Sequence, residues 1–396
     1  MVSVPLAIIS PFDTPMTHRD ILTEKVEPTR LRALLLLLPL LGCGHTEPFG
    51  STPHQGDQPF DPGPPARLTL NSGPDRGAAR LPDGSGILYS AQQLGRSDHD
   101  VCLALLPPGG GTQRRLTCDL TPTGVDSTEA IESPAPSADG RLAFVSATSR
   151  IDALTPGGAS IALGSVMDPY ARVSLRALPY TIPGEPTHFN ASQLRWLGQN
   201  RLLYLGERVD YRHVCPGCTP WDTLTMGLAV TMLDVSQPGV LPSRVPGTDL
   251  ASGVSAGTHE DEVYYTIAGD ARVFRQTLSS GAVSVAHDFG AAGIARDVHV
   301  VGSRLAAVVG GRVSFGIDPL LGTMQFDSGG ILHVVDLQAG TDLVLDDQGL
   351  FRRPQISPAG SAIVAERYPL LIFAGPVGGL DTIVSRDGDL YLFGAP

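Results

Sequence analysis

The sequence predicts an all-β fold, and three observations support this prediction. Glycine and proline are abundant, with 46 and 34 copies in 396 residues, which points to many turns. Apolar residues alternate with polar ones or form short runs between these turns, as strands do. The periodicity of amphipathic helices is missing from the body of the chain. With 42% hydrophobic residues, the chain is able to bury a large core.

A short pattern of strand, tight turn and strand recurs along the body of the chain. Its turns are built on Asp-Gly, Gln-Asn, Glu-Asp or Gly-Ser, residue pairs that suit tight turns. The better copies are AARLPDGSGILYS (78–90), SPAPSADGRLAFVS (133–146) and ISPAGSAIVA (356–365). The weaker copies are QLRWLGQNRLLYLG (193–206), GTHEDEVYYTIAG (257–269) and DVHVVGSRLAAVVG (297–310).

A β-hairpin follows most copies, so that the repeating unit has four antiparallel strands, which is a propeller blade. The turns predict six such blades. The segment ARLTL (66–70) has no local partner, and the last unit lacks a fourth strand. We therefore expect this N-terminal strand to complete the last blade and close the ring, which removes an open sheet edge. A pair of β-sandwiches is the alternative all-β architecture.

The turn motif resembles that of the TolB-type, WD-repeat-like propellers of bacterial envelopes, whose blades carry a sequence close to S-P-D-G-x-x-I-x-F/Y. LPDGSGILYS and SADGRLAFVS fit this pattern well, and SPAGSAIVAE fits it loosely. The resemblance covers residues 66–396 and implies a fold. It does not imply a particular chemistry, because such motifs specify a turn and a packed strand.

The N-terminal segment has the features of a secretory signal. Arg30 and Arg32 precede a nine-residue apolar run, Ala33–Leu41, which is shorter than the roughly 20 residues of a transmembrane helix. The run ends in Leu-Leu-Gly-Cys, which resembles the lipobox of bacterial lipoproteins. This resemblance implies cleavage before Cys43 and lipidation of its thiol. A short buried helix ending in cysteine is the alternative.

These features predict three segments. Residues 1–42 are a signal peptide, with Met16 as an alternative start, and residues 43–65 are a lipidated cysteine and a flexible tether rich in proline and glycine. Residues 66–396 form the propeller. We expect the protein to be anchored in the cell envelope by a lipid at Cys43, at the outer membrane or periplasmic face if the cell is Gram-negative.

The charge and composition of the chain exclude some functions. The formal net charge is −12, which disfavours binding to nucleic acid. Lys25 is the only lysine, so a catalytic lysine or a P-loop lysine is excluded from the chain after Cys43.

Four cysteines besides Cys43 suggest disulfides in an oxidising compartment. Cys102 and Cys118 flank the turn sequence PPGGG symmetrically, which favours a cross-strand disulfide. Cys215 and Cys218 form a C-x-x-C pair, which we interpret first as a small structural disulfide. A redox pair and a zinc site with His213 are the alternatives, although the sequence after Cys218 does not read as the helix of a redox motif.

Other motifs favour structural explanations. Gly253–Gly257 matches G-x-S-x-G, but a nucleophile elbow needs a following helix, and another strand is expected here. The clusters Asp98–Asp100 and His259–Glu262 fall in predicted loops, where solvated charges are common; a weak cation site is the alternative. Asp387–Asp389 reads as a hairpin turn, and Trp196 as a core residue.

The sequence thus predicts a lipid-anchored scaffold that binds a protein or a ligand, with no catalytic residue, metal or cofactor assigned and an envelope protein as the expected partner. Insertions at 151–170 and 207–225 are the candidate contact surface. An enzymatic role is less favoured; its form would be a metal-dependent hydrolase or lactonase with carboxylates around the central channel. Propellers host both classes of function.

Overall fold

The structure is a computed structural model that describes residues 65–70, 73–92, 101–117, 127–150, 159–178, 180–181, 188–212, 222–237, 239, 241–310, 313–318, 322–327, 330–368, 370–374, 380–384 and 388–394. These ranges contain many strands and no α-helix; a 3-10 helix covers Gly290–Ala292. In the same ranges, no helix has the length and apolar character needed to cross a membrane. Residues 1–64 lie outside the description, so the predicted signal peptide, lipid site and tether stay predictions.

The described strands form sheets of seven, five, four and eight strands and two separate hairpins. Within the four larger sheets, the antiparallel pairing order divides into six successive groups of four strands. Strand β1 is Ala66–Arg67. Group 1 contains β2 (Asp75–Arg80), β3 (Ile87–Gln92), β4 (Val101–Leu106) and β5 (Arg114–Arg115). Group 2 contains β6 (Ser127–Pro136), β7 (Arg141–Arg150), β8 (Ala159–Ser165) and β9 (Val173–Leu178). The short β10 (Tyr180–Thr181) precedes group 3, which contains β11 (His188–Leu197), β12 (Arg201–Arg212), β13 (Asp222–Asp234) and β14 (Ser243–Arg244).

The second half of the chain repeats this order. Group 4 contains β15 (Ala251–Ala256), β16 (Glu262–Ile267), β17 (Arg272–Thr277) and β18 (Val283–Asp288). Group 5 contains β19 (Ala295–Val301), β20 (Arg304–Val309), a hairpin of β21 (Val313–Asp318) and β22 (Gly322–Asp327), then β23 (Gly330–Asp336) and the start of β24 (Thr341–Ile356). Group 6 takes the end of β24, then β25 (Ala362–Tyr368), a hairpin of β26 (Leu370–Ala374) and β27 (Leu380–Val384), and β28 (Asp389–Gly394).

The ring is closed by the N-terminal strand, as the sequence predicted. β1 pairs antiparallel with β28, with Ala66 opposite Leu392 and Arg67 opposite Tyr391. Further along, Leu68 N donates to Leu390 O at 2.7 Å, and Leu390 N donates to Thr69 Oγ1 at 2.9 Å. The fourth strand of group 6 therefore comes from the start of the body.

The first strands of the six groups form a closed cycle around a central channel. β2 contacts β6, and the contacts continue through β11, β15, β19 and β24 back to β2. Apolar side chains fill the space between neighbouring groups, including the space between groups 6 and 1 that Leu68 helps to fill. This is the architecture of a β-propeller, and it confirms the predicted fold class.

The two predicted insertions are shorter than expected. Within 151–170, β8 forms the third strand of group 2, and residues 151–158 lie outside the described residues. Within 207–225, β12 and β13 continue to pair as far as Arg212 opposite Asp222. Threonine, valine, tyrosine and leucine in these stretches favour strand extension over an irregular loop.

Candidate functional site

The first strand of every group carries a β-bulge, a one-sided irregularity that re-aims side chains. Register shifts fall at equivalent places in β2, β6, β11, β15, β19 and β24. Five of the six bulges hold a residue with positive φ: Gly77 (62°), Ser133 (53°), Gln193 (53°), Asp297 (27°) and Arg353 (47°). Four of these five are not glycine. Such backbone costs of order 1–3 kcal/mol at each site, and it clusters where function constrains the chain.

Polar groups from the bulges meet in the channel around Asp297. Gln193 Nε2 donates to Asp297 Oδ1 at 3.0 Å, which bridges groups 3 and 5 across the channel. Arg353 N donates to Asp297 Oδ2 at 3.1 Å, and Gln193 N donates to Ser133 Oγ at 3.1 Å. Group 4 approaches closely because Gly253 has no side chain; a Cβ there would lie 2.8 Å from Asp297 N.

Glu366 of β25 joins the bulges of groups 1 and 6. Its carboxylate accepts hydrogen bonds from Gly77 N at 2.6 Å and Tyr368 Oη at 2.6 Å. Arg353 Nη1 donates to it at 3.2 Å. Burial acts to raise the pKa of Glu366, but Arg353 and these hydrogen bonds hold it below its usual value. Glu366, in turn, raises the pKa of Arg353. We call Gly77, Ser133, Gln193, Asp297, Arg353 and Glu366 the polar belt.

A cavity of about 300 Å³ lies beside the polar belt, toward the face of the ring where first strands turn into second strands. We call these the channel cavity and the turn face. All six groups line the cavity, through residues that include Arg80, Pro136, Arg195, Ser255, His299 and Gln355. The site is therefore built only when the ring closes.

Several buried hydrogen-bond donors line the channel cavity. Within the described part of the chain, Arg80 Nε and Nη2, Arg195 Nε and Gln355 Nε2 are buried without a hydrogen-bond partner. Arg195 Nη1 is satisfied, because it donates to Leu194 O at 2.8 Å. Burial lowers the pKa of Arg195 to about 10, and nearby Arg353 contributes to the shift, whereas Asp297 opposes it.

His299 is held in its neutral form. Burial lowers its pKa to about 3, with further contributions from the positive charges of Arg195 and Arg80. Ile356 N donates to His299 Nδ1 at 3.1 Å, so that nitrogen carries no proton. The proton of the neutral ring is therefore on Nε2, which makes this atom a further donor.

The described residues hold no group of three or more His, Cys, Asp or Glu side chains that could bind a metal ion. The two carboxylates of the polar belt, Asp297 and Glu366, already accept the hydrogen bonds described above. No acidic side chain lines the channel cavity among the described residues. Its charge favours an anion over a divalent cation.

The structure reaches only one of the predicted cysteine sites. Cys102 lies in β4 and is buried. Cys43, Cys118, Cys215 and Cys218 lie outside the described residues. Lipidation of Cys43, the pairing of Cys102 with Cys118 and that of Cys215 with Cys218 therefore stay predictions.

The other motifs take structural roles where they are described. Gly253–Gly257 lies in and just after β15, and the Ser255 hydroxyl donates to Ala256 O and accepts from Val300 N. The His259–Glu262 segment is the turn before β16, closed by Glu262 N donating to His259 O at 3.0 Å. Trp196 packs against a core cluster, and its Nε1 donates to Ala135 O at 2.7 Å.

Sequence reasoning singled out Trp196 and the G-x-S-x-G motif, which both contribute to the lining of the channel cavity, but it missed the polar residues that give the cavity its charge. Arg80, Arg195, His299 and Gln355 each lie in a first strand shortly before its turn. Corresponding stretches of groups 2 and 4 carry small residues instead, such as Ala135 and Ala256. The sequence does contain a signal for these residues. Shortly before the recurrent turn, four groups carry a polar residue where groups 2 and 4 carry small ones.

No protein-family model and no curated protein matches the chain. Among solved structures, a gluconolactonase from Xanthomonas campestris matches with a TM-score of 0.50 and 15% identity, covering 84% of this chain and 89% of its own. TolB from Acinetobacter baumannii matches with a TM-score of 0.44 and 15% identity, covering 83% and 68%. A protein assigned as TolB from Agrobacterium tumefaciens matches with 0.47 and 12%, covering 83% and 93%. At this identity the similarity concerns the fold alone, which is that of a β-propeller.

Proposed function

We propose that this protein is a binding module of the cell envelope, whose propeller engages a ligand or a partner at the turn face. The channel cavity carries this proposal, because six strands from distant parts of the sequence line one space. Three of them place a polar side chain there, Arg80, Arg195 or Gln355, that has a buried donor without a hydrogen-bond partner among the described residues. Its volume of about 300 Å³ is at the lower end of the range for small-ligand pockets. Rigid strands hold the cavity in place, which favours recognition.

The lipid anchor is part of the same proposal. Leu-Leu-Gly-Cys at 40–43 resembles a lipobox, and the proline-rich residues 44–65 provide a tether. An anchored propeller held off a membrane by a flexible segment is able to reach another envelope protein. The expected partner is therefore a protein or ligand of the cell envelope.

The alternative function, a metal-dependent hydrolase or lactonase, has less support. Such an enzyme needs carboxylates or amides directed at a cation in the channel. Here Asp297 accepts bonds from Gln193 and Arg353, and Glu366 is paired with Arg353 at 3.2 Å. The donors of Arg80 and Arg195 would repel a cation placed in the channel cavity.

Site-specific photo-crosslinking tests the proposed binding face. A photoreactive amino acid at Ala359, in an exposed turn of the turn face, should give specific adducts in cells, identified by mass spectrometry. The matched control position is Ala268, which is exposed in the turn between β16 and β17 at the opposite ends of the strands. Adducts found equally at both positions, or only at Ala268, would contradict a binding role for the turn face.

A further inference from the structure

The lining of the channel cavity carries more positive charge than its own residues balance. Arg80 and Arg195 both line it, and the described lining residues include no carboxylate. Asp297 and Glu366 attract the charge of Arg195 from outside the lining, but Arg80 Nε and Nη2 and Arg195 Nε are buried without a hydrogen-bond partner among the described residues. Buried donors of charged groups are unfavourable without acceptors, which indicates that a ligand supplies the missing acceptors.

The arrangement of the donors also indicates which class of ligand fits the channel cavity. Arginine presents a planar set of N–H groups that matches the oxygens of carboxylate and phosphate. Gln355 Nε2 has no hydrogen-bond partner among the described residues, and His299 contributes Nε2–H because its Nδ1 accepts from Ile356 N. Neutral histidine adds a donor without adding a third positive charge. Each of these groups donates, and an oxyanion has only acceptors to offer.

We propose that the channel cavity binds an oxyanion, a carboxylate or phosphate group, between Arg80 and Arg195, with Gln355 and His299 donating to the remaining oxygens. The inference rests on the proposed function, since it names the ligand chemistry of the same face. The cavity size suits a small molecule that carries the anionic group or the free ion itself.

Calorimetric titration of the purified chain tests this inference in a low-salt chloride buffer at neutral pH. The probes are inorganic phosphate, acetate and glycerol 3-phosphate. Glycerol, which lacks the phosphate group, is the uncharged control for glycerol 3-phosphate. Wild type should bind at least one anion and should not bind glycerol. Tighter binding of glycerol 3-phosphate than of phosphate would identify an organic ligand as the source, and equal or weaker binding would identify the free ion.

Charge-neutralising variants locate the site. Arg80→Gln and Arg195→Gln should weaken anion binding by about tenfold or more each, because each loses charge-assisted hydrogen bonds. The control Arg272→Gln removes an exposed arginine that pairs with Asp270 at 2.7 Å, and it should bind like wild type.

Two results would overturn the inference: no anion binds to wild type, or both cavity variants bind as tightly as wild type. The crosslinking test distinguishes failure of the oxyanion inference from failure of the proposed function. If Ala359 still forms specific adducts and both cavity variants keep them, then the turn face is a binding face and the oxyanion assignment alone is wrong. If those adducts are absent as well, the proposed function fails too.

Discussion

At the scale of single residues, the channel depends on buried polar groups that differ in how fully they are hydrogen-bonded. Asp297 and Glu366 accept several hydrogen bonds each, whereas Arg80 and Arg195 keep donors without partners among the described residues. The sequence identified none of these residues as special. Arg80 and Arg195 come from different groups, and only closure of the ring brings them to one cavity.

His299 gives a prediction about stability and pH. Its folded pKa of about 3 lies below the ordinary value of 6.5, so the unfolded chain binds a proton that the folded chain excludes between these values. Stability from this group is therefore present above pH 6.5 and is lost as pH falls toward 3. The loss should be about 1.4 kcal/mol per pH unit within this window.

Urea unfolding at pH 7, 6, 5 and 4 checks this prediction. His299→Gln removes the titrating group, so the stability of wild type relative to this variant should decrease steadily as pH falls. His259→Gln, in an exposed turn, should follow the wild-type pH dependence. Parallel curves for wild type and His299→Gln would show that His299 is not held neutral.

At the scale of elements, the repeated turns made the strands predictable. Asp-Gly at 83–84 and 139–140 marks a tight turn, and Gly84 and Gly140 adopt positive φ as such turns require. The bulges were not predictable in the same way. Ser133, Gln193 and Arg353 adopt positive φ without being glycine, because contacts across the channel override their local preference. To predict the positive φ of these residues, one must know which residues of the neighbouring groups they contact.

The closing strand gives a prediction at this scale. A chain that begins at residue 71 lacks β1, and it loses the packing of Leu68 and the acceptor Thr69 Oγ1 for Leu390 N. We expect it to lose cooperative thermal unfolding and to self-associate through the uncovered edge of β28. A chain that begins at residue 65 is the control and should unfold as the full body does. A monomer with an unchanged unfolding midpoint after removal of β1 would contradict this role of the strand.

At the scale of the whole molecule, the fold was predictable from local patterns, and the site was not. Turn residues and the alternation of apolar with polar residues repeat every few dozen residues. They can therefore be recognised in a single sequence, without an alignment to other proteins. The residues that line the channel cavity are instead spread along the chain from Ala79 to Pro358, and no local pattern joins them. The hairpins β21–β22 and β26–β27 were also missed, because they interrupt the repeat.

The predicted anchor is tested on the whole protein in cells. Wild type should sediment with membranes and incorporate labelled palmitate, because a diacylated cysteine partitions into lipid. Cys43→Ala should appear in the soluble fraction without label. Cys102→Ala is the matched control, since it removes a cysteine of the predicted propeller and should leave the label in place. Equal sedimentation of wild type and Cys43→Ala would contradict lipid anchoring at this residue.

The closure of the ring also determines the order in which the molecule can be completed. Leu390 N and Thr69 Oγ1 bond across 321 residues of chain. At roughly 5 to 20 residues per second, a ribosome needs about 16 to 64 s to make that length. Throughout this time β1 has no partner, and its loop-closure entropy is among the largest the chain must overcome. Closure of the ring must therefore wait until β28 has been made, and β1 stays without its partner strand until then.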